Sequence, residues 1–206
     1  MAIKQGEEIK RLFPEVEFKD FLIQTQGDQD KLTVFTEIEG SDFFTRQLEE
    51  ALLRGGIDVA VHSAKDLEEN MPAGLVIAAI TRTISPYECL VSRKTQDLDQ
   101  LKPGALVGTS SSKRKEALLR YRQDLKVGDL RGTIEERLAQ LDEGKFDALV
   151  MAHAALMRLG YASRISQIIP AQVIAPHPLQ GALAIQVRAD DRELIRLFSK
   201  VDTKGG

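Results

Sequence analysis

Between Leu106 and Gly160 the chain alternates short apolar runs with stretches of helical period, and each junction carries a turn or cap signal. Leu106 to Gly108 reads as a strand, and Ser110-Ser111-Ser112 as the cap of a helix from Lys113 to Tyr121. Leu125 to Leu130 is a second strand, ended by Arg131-Gly132. Thr133 caps a helix to about Leu141, Gly144 ends it, and Ala148 to Ala152 is a third strand. A helix to Arg158 then stops at Gly160. Strands alternating with helices of ~10 residues restrict the chain to an α/β fold with mostly parallel sheets.

A similar series precedes it. Ile3 to Phe13 fits an amphipathic helix that Pro14 stops, and Val16 to Gln24 alternates like a strand. Gly27-Asp28 marks a turn, and Gln29 to Asp42 is polar and irregular, a loop. Phe44 to Arg54 places Leu48, Ala51 and Leu52 on one helical face before Gly55-Gly56. Ile57 to His62 and Leu75 to Ile80 read as short buried strands, and Leu90 to Arg93 opens the second series. The doubled pattern predicts two α/β lobes with a cleft between them, with ligands at the carboxyl ends of the strands.

Composition narrows the class. With 206 residues, 43% hydrophobic and 29% charged, the chain can bury a core and is not a disordered tail. Its longest apolar stretches, such as Leu75 to Ile80, fall far short of the ~20 residues that span a bilayer. Met1 to Lys10 is charged and amphipathic, unlike a signal peptide. One cysteine excludes an internal disulfide framework and a multi-cysteine metal site, which fits a reducing, cytoplasmic compartment. The formal net charge of −3 hides an uneven distribution, with residues 1–50 acid-rich; no nucleic-acid or membrane partner is expected, and the chain is expected to be a monomer.

Against that net charge, Lys113, Arg114, Lys115, Arg131 and Arg137 fall at helix starts or in turns. Cations there oppose the helix dipole, and an anionic ligand is one reason to tolerate them. In Gly108-Thr109-Ser110-Ser111-Ser112-Lys113-Arg114 hydroxyls, free N–H groups and two cations converge, which suits a carboxylate or phosphate; the alternative is plain serine capping beside solvated cations. Lys65 and Asp66 follow a buried strand in Ala60-Val61-His62-Ser63-Ala64-Lys65-Asp66, where a cleft-facing acid and a surface ion pair are equally good readings. Arg158 ends a helix, where the dipole alone accounts for it. His62 and His153, at strand ends among apolar neighbours, read as packed, hydrogen-bonded histidines, and Cys89 as a small buried hydrophobe. No pattern of metal-ligand spacing is present.

Together, Ala60 to Asp66, Gly108 to Arg114, Asp129-Leu130-Arg131-Gly132-Thr133, Leu156-Met157-Arg158-Leu159-Gly160 and Gln180-Gly181-Ala182-Leu183 resemble hydroxymethylbilane synthases, also called porphobilinogen deaminases. Order and spacing are kept over nearly the whole chain. The resemblance implies two lobes like those of type II periplasmic binding proteins, here residues 1–81 plus 177–206 and residues 87–172, and a third domain whose cysteine holds a dipyrromethane cofactor by a thioether. The implied reaction joins four porphobilinogen units head to tail with release of ammonia. Porphobilinogen carries acetate and propionate groups, and arginine pairs bidentately with carboxylates. The resemblance places Lys65, Thr109, Ser110, Ser111, Lys113, Arg114, Arg131, Arg137, Arg158 and Gln180 around these anions. It makes Asp66 the catalytic aspartate that offsets positive charge building on a pyrrole nitrogen.

Departures from the family pattern accompany the match. The family's opening strand and Gly-Thr-Arg-x-Ser motif are expected before Met1. The lid-like Gly-Gly-Lys-Gly is Glu39-Gly40-Ser41-Asp42 here, with Glu37 for a usual Lys; Lys113 stands for an Arg, and Pro178-Leu179 for Val-Gly. The third domain is expected to begin at about Gly206, so the attachment cysteine is expected outside these residues, and Cys89 is in the wrong place for it. A fragment, a naturally short relative and a degenerate relative all remain open on this reading. So does a non-catalytic two-lobe protein that binds a small carboxylate or pyrrole and closes by hinge motion.

Overall fold

Strands β3 (Glu88–Ser92), β4 (Leu106–Thr109), β5 (Lys126–Asp129), β6 (Ala148–Ala152) and β7 (Gln167–Ile169) form a five-stranded sheet in the order β5-β4-β6-β3-β7. The structure is a computed structural model that describes residues 1–23, 45–67 and 71–203. This sheet is the centre of one of two compact units, Ser85–Pro178; the described residues of the other are 1–23, 45–67, 71–84 and 179–203.

In the Ser85–Pro178 unit the central strands β3, β4 and β6 are buried on both faces, so both are covered. Leu90, Val107, Ala148 and Val150 pack with Leu118 of helix α3 (Ser112–Tyr121) on one side. Cys89, Val91, Leu149 and Met151 pack on the other with Leu138 and Leu141 of α4 (Ile134–Asp142) and Leu156 of α5 (His153–Leu159). Gly108 lies where β4 passes the side chains beneath it: a Cβ there would sit 2.8 Å from Leu149 Cδ2 and 2.9 Å from Phe146 Cδ1. The caps expected from sequence form. Thr133 and Glu136 make a reciprocal capping box, Ser111 Oγ accepts from the Arg114 N–H, and Gly160 closes α5 at φ +78°.

The other unit holds a three-stranded sheet, β1 (Ala60–Ser63), β8 (Leu183–Arg188) and β2 (Leu75–Ile80), in the order β1-β8-β2. The central strand, β8, pairs antiparallel with both neighbours, Ser63 opposite Leu183 and Ile80 opposite Ala184. Leu183, Ile185 and Val187 face a core built with Ile9 and Phe13, at the end of α1 (Ala2–Leu12), and Phe198 of α6 (Arg192–Phe198). The Phe13 and Phe198 rings meet edge to face, 5.1 Å between centroids. Helix α2 (Arg46–Leu53) buries Leu52 against Ala60 and Leu75.

Two expectations are corrected. The sheets are not mostly parallel: β4 is parallel to β5 and β6, but β3 is antiparallel to β6 and β7, and the β1-β8-β2 sheet is wholly antiparallel. Parallel neighbours need a helical crossover, and such crossovers link only β4, β5 and β6; β8 joins its sheet after the chain has passed through the other unit. The strand expected over Val16 to Gln24 is also absent from its described part, Val16 to Ile23. Val16 and Phe18 do pack on the core, so the alternation reports burial without a hydrogen-bonded partner strand. Gln24, the loop over Gln29 to Asp42 and the Glu37 to Asp42 departures lie outside the described residues.

Candidate anion-binding edge and catalytic turn

In the Ser85–Pro178 unit, the carboxyl ends of β4, β5 and β6 lie on one edge of the sheet with the amino end of β3. Thr109 is opposite Asp129, and Ala152 is opposite Glu88. The chain leaves β4 into Ser110, Ser111 and α3, and leaves β5 through Arg131-Gly132 into α4. Gly132 has φ +97°, a left-handed conformation that lets the chain turn back at once. Its carbonyl accepts from Arg137 Nε at 2.8 Å, and Arg137 Nη1 donates to Ser110 Oγ at 3.3 Å.

That edge gathers three guanidinium groups. Burial, then the neighbouring charges of Arg114 and Arg131, pushes the Arg137 pKa down to about 10. Arg137 stays charged at neutral pH, so the cluster holds positive charge that a bound anion relieves. Thr109 is 2% exposed, and its Oγ1 has no hydrogen-bond partner among the described residues. A buried hydroxyl left this way is costly until something supplies a partner. Arg114 is 8% exposed and ion-paired, its Nη2 lying 2.9 Å from Glu88 Oε2. Lys113 is exposed, and Arg158 is half-buried in the last turn of α5.

In the other unit, Lys65 and Asp66 occupy a 3-10 turn, Ala64–Asp66, directly after β1. The Ala64 N–H donates to the Ala182 carbonyl at 3.0 Å, so this turn and the Gln180 segment share one end of the sheet. Gln180 is 1% exposed, and its carbonyl accepts from Thr83 Oγ1 at 2.6 Å. Asp66 is exposed. His62 is buried and bonded to Gln186 Oε1 at 2.9 Å, and Gln186 Nε2 donates to Glu49 at 3.1 Å.

Residue patterning missed Glu88 and Ser85. Ser85 Oγ lies 2.8 Å from His153 Nδ1. The signal for Glu88 was an acid opening an apolar run, Glu88-Cys89-Leu90-Val91, which reads as a strand boundary until a cation is seen beside it. Cys89 is fully buried, its Sγ donates to the Met151 carbonyl at 3.4 Å, and burial pushes its thiol up to about 12. Such a thiol is protonated and unreactive.

A ligand with several carboxylates fits the first edge on donor chemistry. Arg131, Arg137, Ser110 and Thr109 offer N–H and O–H donors there, and the Thr109 hydroxyl lacks a partner. Among the described residues no group of His, Cys, Asp and Glu is arranged to hold a metal ion, and no helix is long and apolar enough to cross a membrane.

Comparison with known proteins places the chain in a family. Residues 1–196 match the family model described as "Porphobilinogen deaminase, dipyromethane cofactor binding domain". The porphobilinogen deaminase of Pelotomaculum thermopropionicum is 44% identical over 94% of this chain and 62% of its own length; that of Brevibacillus brevis is 40% identical over 95% and 63%. The chain thus spans less than two thirds of the length of these curated relatives. Among solved structures, a probable amino-acid ABC transporter extracellular-binding protein of Bacillus subtilis aligns over 97% of this chain and 78% of its own, with TM-score 0.51 and 13% identity. A putative methionine-binding lipoprotein of the same species aligns over 76% and 74%, with TM-score 0.52 and 15% identity. These two likenesses concern the fold alone.

Proposed function

We propose that this chain, which belongs to the porphobilinogen deaminase family, is the substrate- and cofactor-binding part of a hydroxymethylbilane synthase, a transferase that condenses porphobilinogen units with release of ammonia. The observation that carries the reading is the cluster of Arg114 and Arg131 about Arg137, which donates to Ser110, in a unit that also holds the unpartnered Thr109 hydroxyl. The acetate and propionate groups of the pyrroles supply the anions, and Arg131 and Arg137 bind and orient them. Ser110 and Thr109 donate hydroxyl hydrogens to the same carboxylates, with Ser111, Lys113 and Arg158 completing the set in the Ser85–Pro178 unit; Lys65 and Gln180 of the other unit are further donors for carboxylates of the substrate.

When bound, dipyrromethane supplies a nucleophilic pyrrole carbon to which the first substrate unit is joined. Asp66 acts on the substrate. Loss of ammonia leaves positive charge on the pyrrole nitrogen, and a fixed carboxylate beside that N–H lowers the barrier. Single well-placed groups of this kind are worth ~3–4 kcal/mol. Asp66 is exposed and so reachable by a ligand. The single cysteine suits a reducing, cytoplasmic compartment, and a small-molecule substrate calls for neither nucleic acid nor a second copy of the chain.

Calorimetric titration with porphobilinogen tests the reading, with Arg131→Glu/Arg137→Glu as the comparison. Binding by the wild type and loss in the double variant are expected; equal affinity in both would remove the arginine cluster from the site. Ammonia release by the cofactor-bearing protein separates a synthase from a protein that only binds a small carboxylate.

A further inference from the structure

Glu88 opens β3 with 5% of its surface exposed, a placement acids rarely take without a partner. A cation that pairs with it is Arg114: the two side chains are 6% and 9% exposed and 2.9 Å apart. The two residues come from different layers. β3 is separated from β4 by β6, and Arg114 sits in the first turn of α3, which follows β4. Arg114 is thereby held at both ends, its main-chain N–H by Ser111 Oγ and its guanidinium by the opposite charge of Glu88, across a close contact without hydrogen-bond geometry.

Local electrostatics works against that guanidinium. It opposes the dipole at a helix start, and it lies close enough to Arg137 to depress that group's pKa, as Arg131 does. Its neighbours Lys113 and Lys115 are exposed. A fixed carboxylate is what makes a buried third cation tolerable beside two others.

We propose that Glu88 is a positioning residue for the anion-binding edge: its carboxylate holds Arg114 in place, so that a polycarboxylate meets three ordered cations rather than two. The proposal rests on the carboxylate-binding reading of that edge. Glu88 touches no ligand and acts through Arg114. One guanidinium nitrogen faces Glu88, and the fork of five N–H donors leaves others for the ligand. Ordering the side chain before binding removes that entropy loss from the binding step.

The test is a double-variant cycle read by calorimetry with two probes, porphobilinogen and citrate. It uses wild type, Glu88→Gln, Glu88→Asp, Arg114→Gln and the Glu88→Gln/Arg114→Gln pair. Glu88→Gln is expected to weaken binding about tenfold, with no further loss in the pair beyond Arg114→Gln alone. Glu88→Asp keeps the charge and recovers part of the affinity. The Arg114 Nε–H resonance is expected to be sharp in the wild type and in Glu88→Asp, and broadened in Glu88→Gln. Unchanged or tighter binding by Glu88→Gln, or losses that multiply in the pair, would overturn the proposal. Should Glu88→Gln not fold, the same cycle built on Glu88→Asp decides it by the same criterion. If the wild type binds citrate but not porphobilinogen, the substrate reading fails and the citrate cycle still decides Glu88. If it binds neither, both fail.

Discussion

Arg137 reaches back 27 residues in sequence to donate to Ser110 Oγ, tying the start of α4 to the turn that follows β4. The same guanidinium donates to the Gly132 carbonyl. Two loops of different strands are joined by one cation whose remaining Nη2 donors have no protein acceptor among the described residues. Replacing Arg137 with Ala is expected to weaken porphobilinogen or citrate binding at least about tenfold, since a charge-assisted contact is lost. Thermal stability without ligand should change little, because relief of repulsion from Arg114 and Arg131 offsets the lost hydrogen bonds. Calorimetry and thermal melts check the two halves separately.

Thr109→Val separates ligand contact from folding. Valine keeps the shape and removes the unpartnered Oγ1. Stability without ligand is expected to stay level or rise by up to about 1 kcal/mol, because no protein bond is broken. Anion affinity should fall about tenfold, the worth of one hydrogen bond to a charged group. A stability loss with unchanged affinity would show that the hydroxyl serves the core and not a ligand.

Gly108→Ala is expected to destabilise the Ser85–Pro178 unit by ~1–3 kcal/mol, as over-packing does. The new methyl would press on Leu149 and Phe146 beneath β4. A lowered denaturant midpoint with an unchanged slope is the expected result.

His62 sets a pH dependence. Burial lowers its folded pKa below the ordinary 6.5, with the Gln186 bond opposing the shift. The folded state therefore holds His62 neutral where the unfolded chain takes up a proton. Stability from this group is complete above the unfolded pKa and is lost as pH falls from there toward the folded pKa. His153 is shifted in the same direction by burial and adds to the slope. His62→Gln should flatten, without abolishing, the decline in stability between about pH 7 and 5, followed by urea denaturation.

Asp66→Asn, in a form of the protein carrying its dipyrromethane, should fold normally and lose turnover by ~10²–10³. Asp66→Glu should retain a partial rate, because the charge is kept but displaced. Full activity of Asp66→Asn would remove this residue from the mechanism.

The sequence by itself determined the local elements and which residues stand at their ends. Spacing and caps placed β4, α3, β5, α4, β6 and α5 within a residue or two, because helix period, Ser111, Thr133 and Gly160 act over a few residues. The same short-range signals located Thr109 to Arg114, Arg131 and Arg137. Tertiary structure alone decided strand direction and partnership. Antiparallel β3 and the insertion of β8 between β1 and β2 depend on where a distant segment returns, and side-chain alternation is the same for either direction. Burial without pairing in Val16 to Ile23 has that cause too: periodicity records which side chains leave water, not which backbone groups find partners. The Glu88–Arg114 pair belongs to the tertiary level as well. An acid at the start of an apolar run and a cation at a helix start are each unfavourable alone, and only the packing of α3 against the sheet brings them within 2.9 Å.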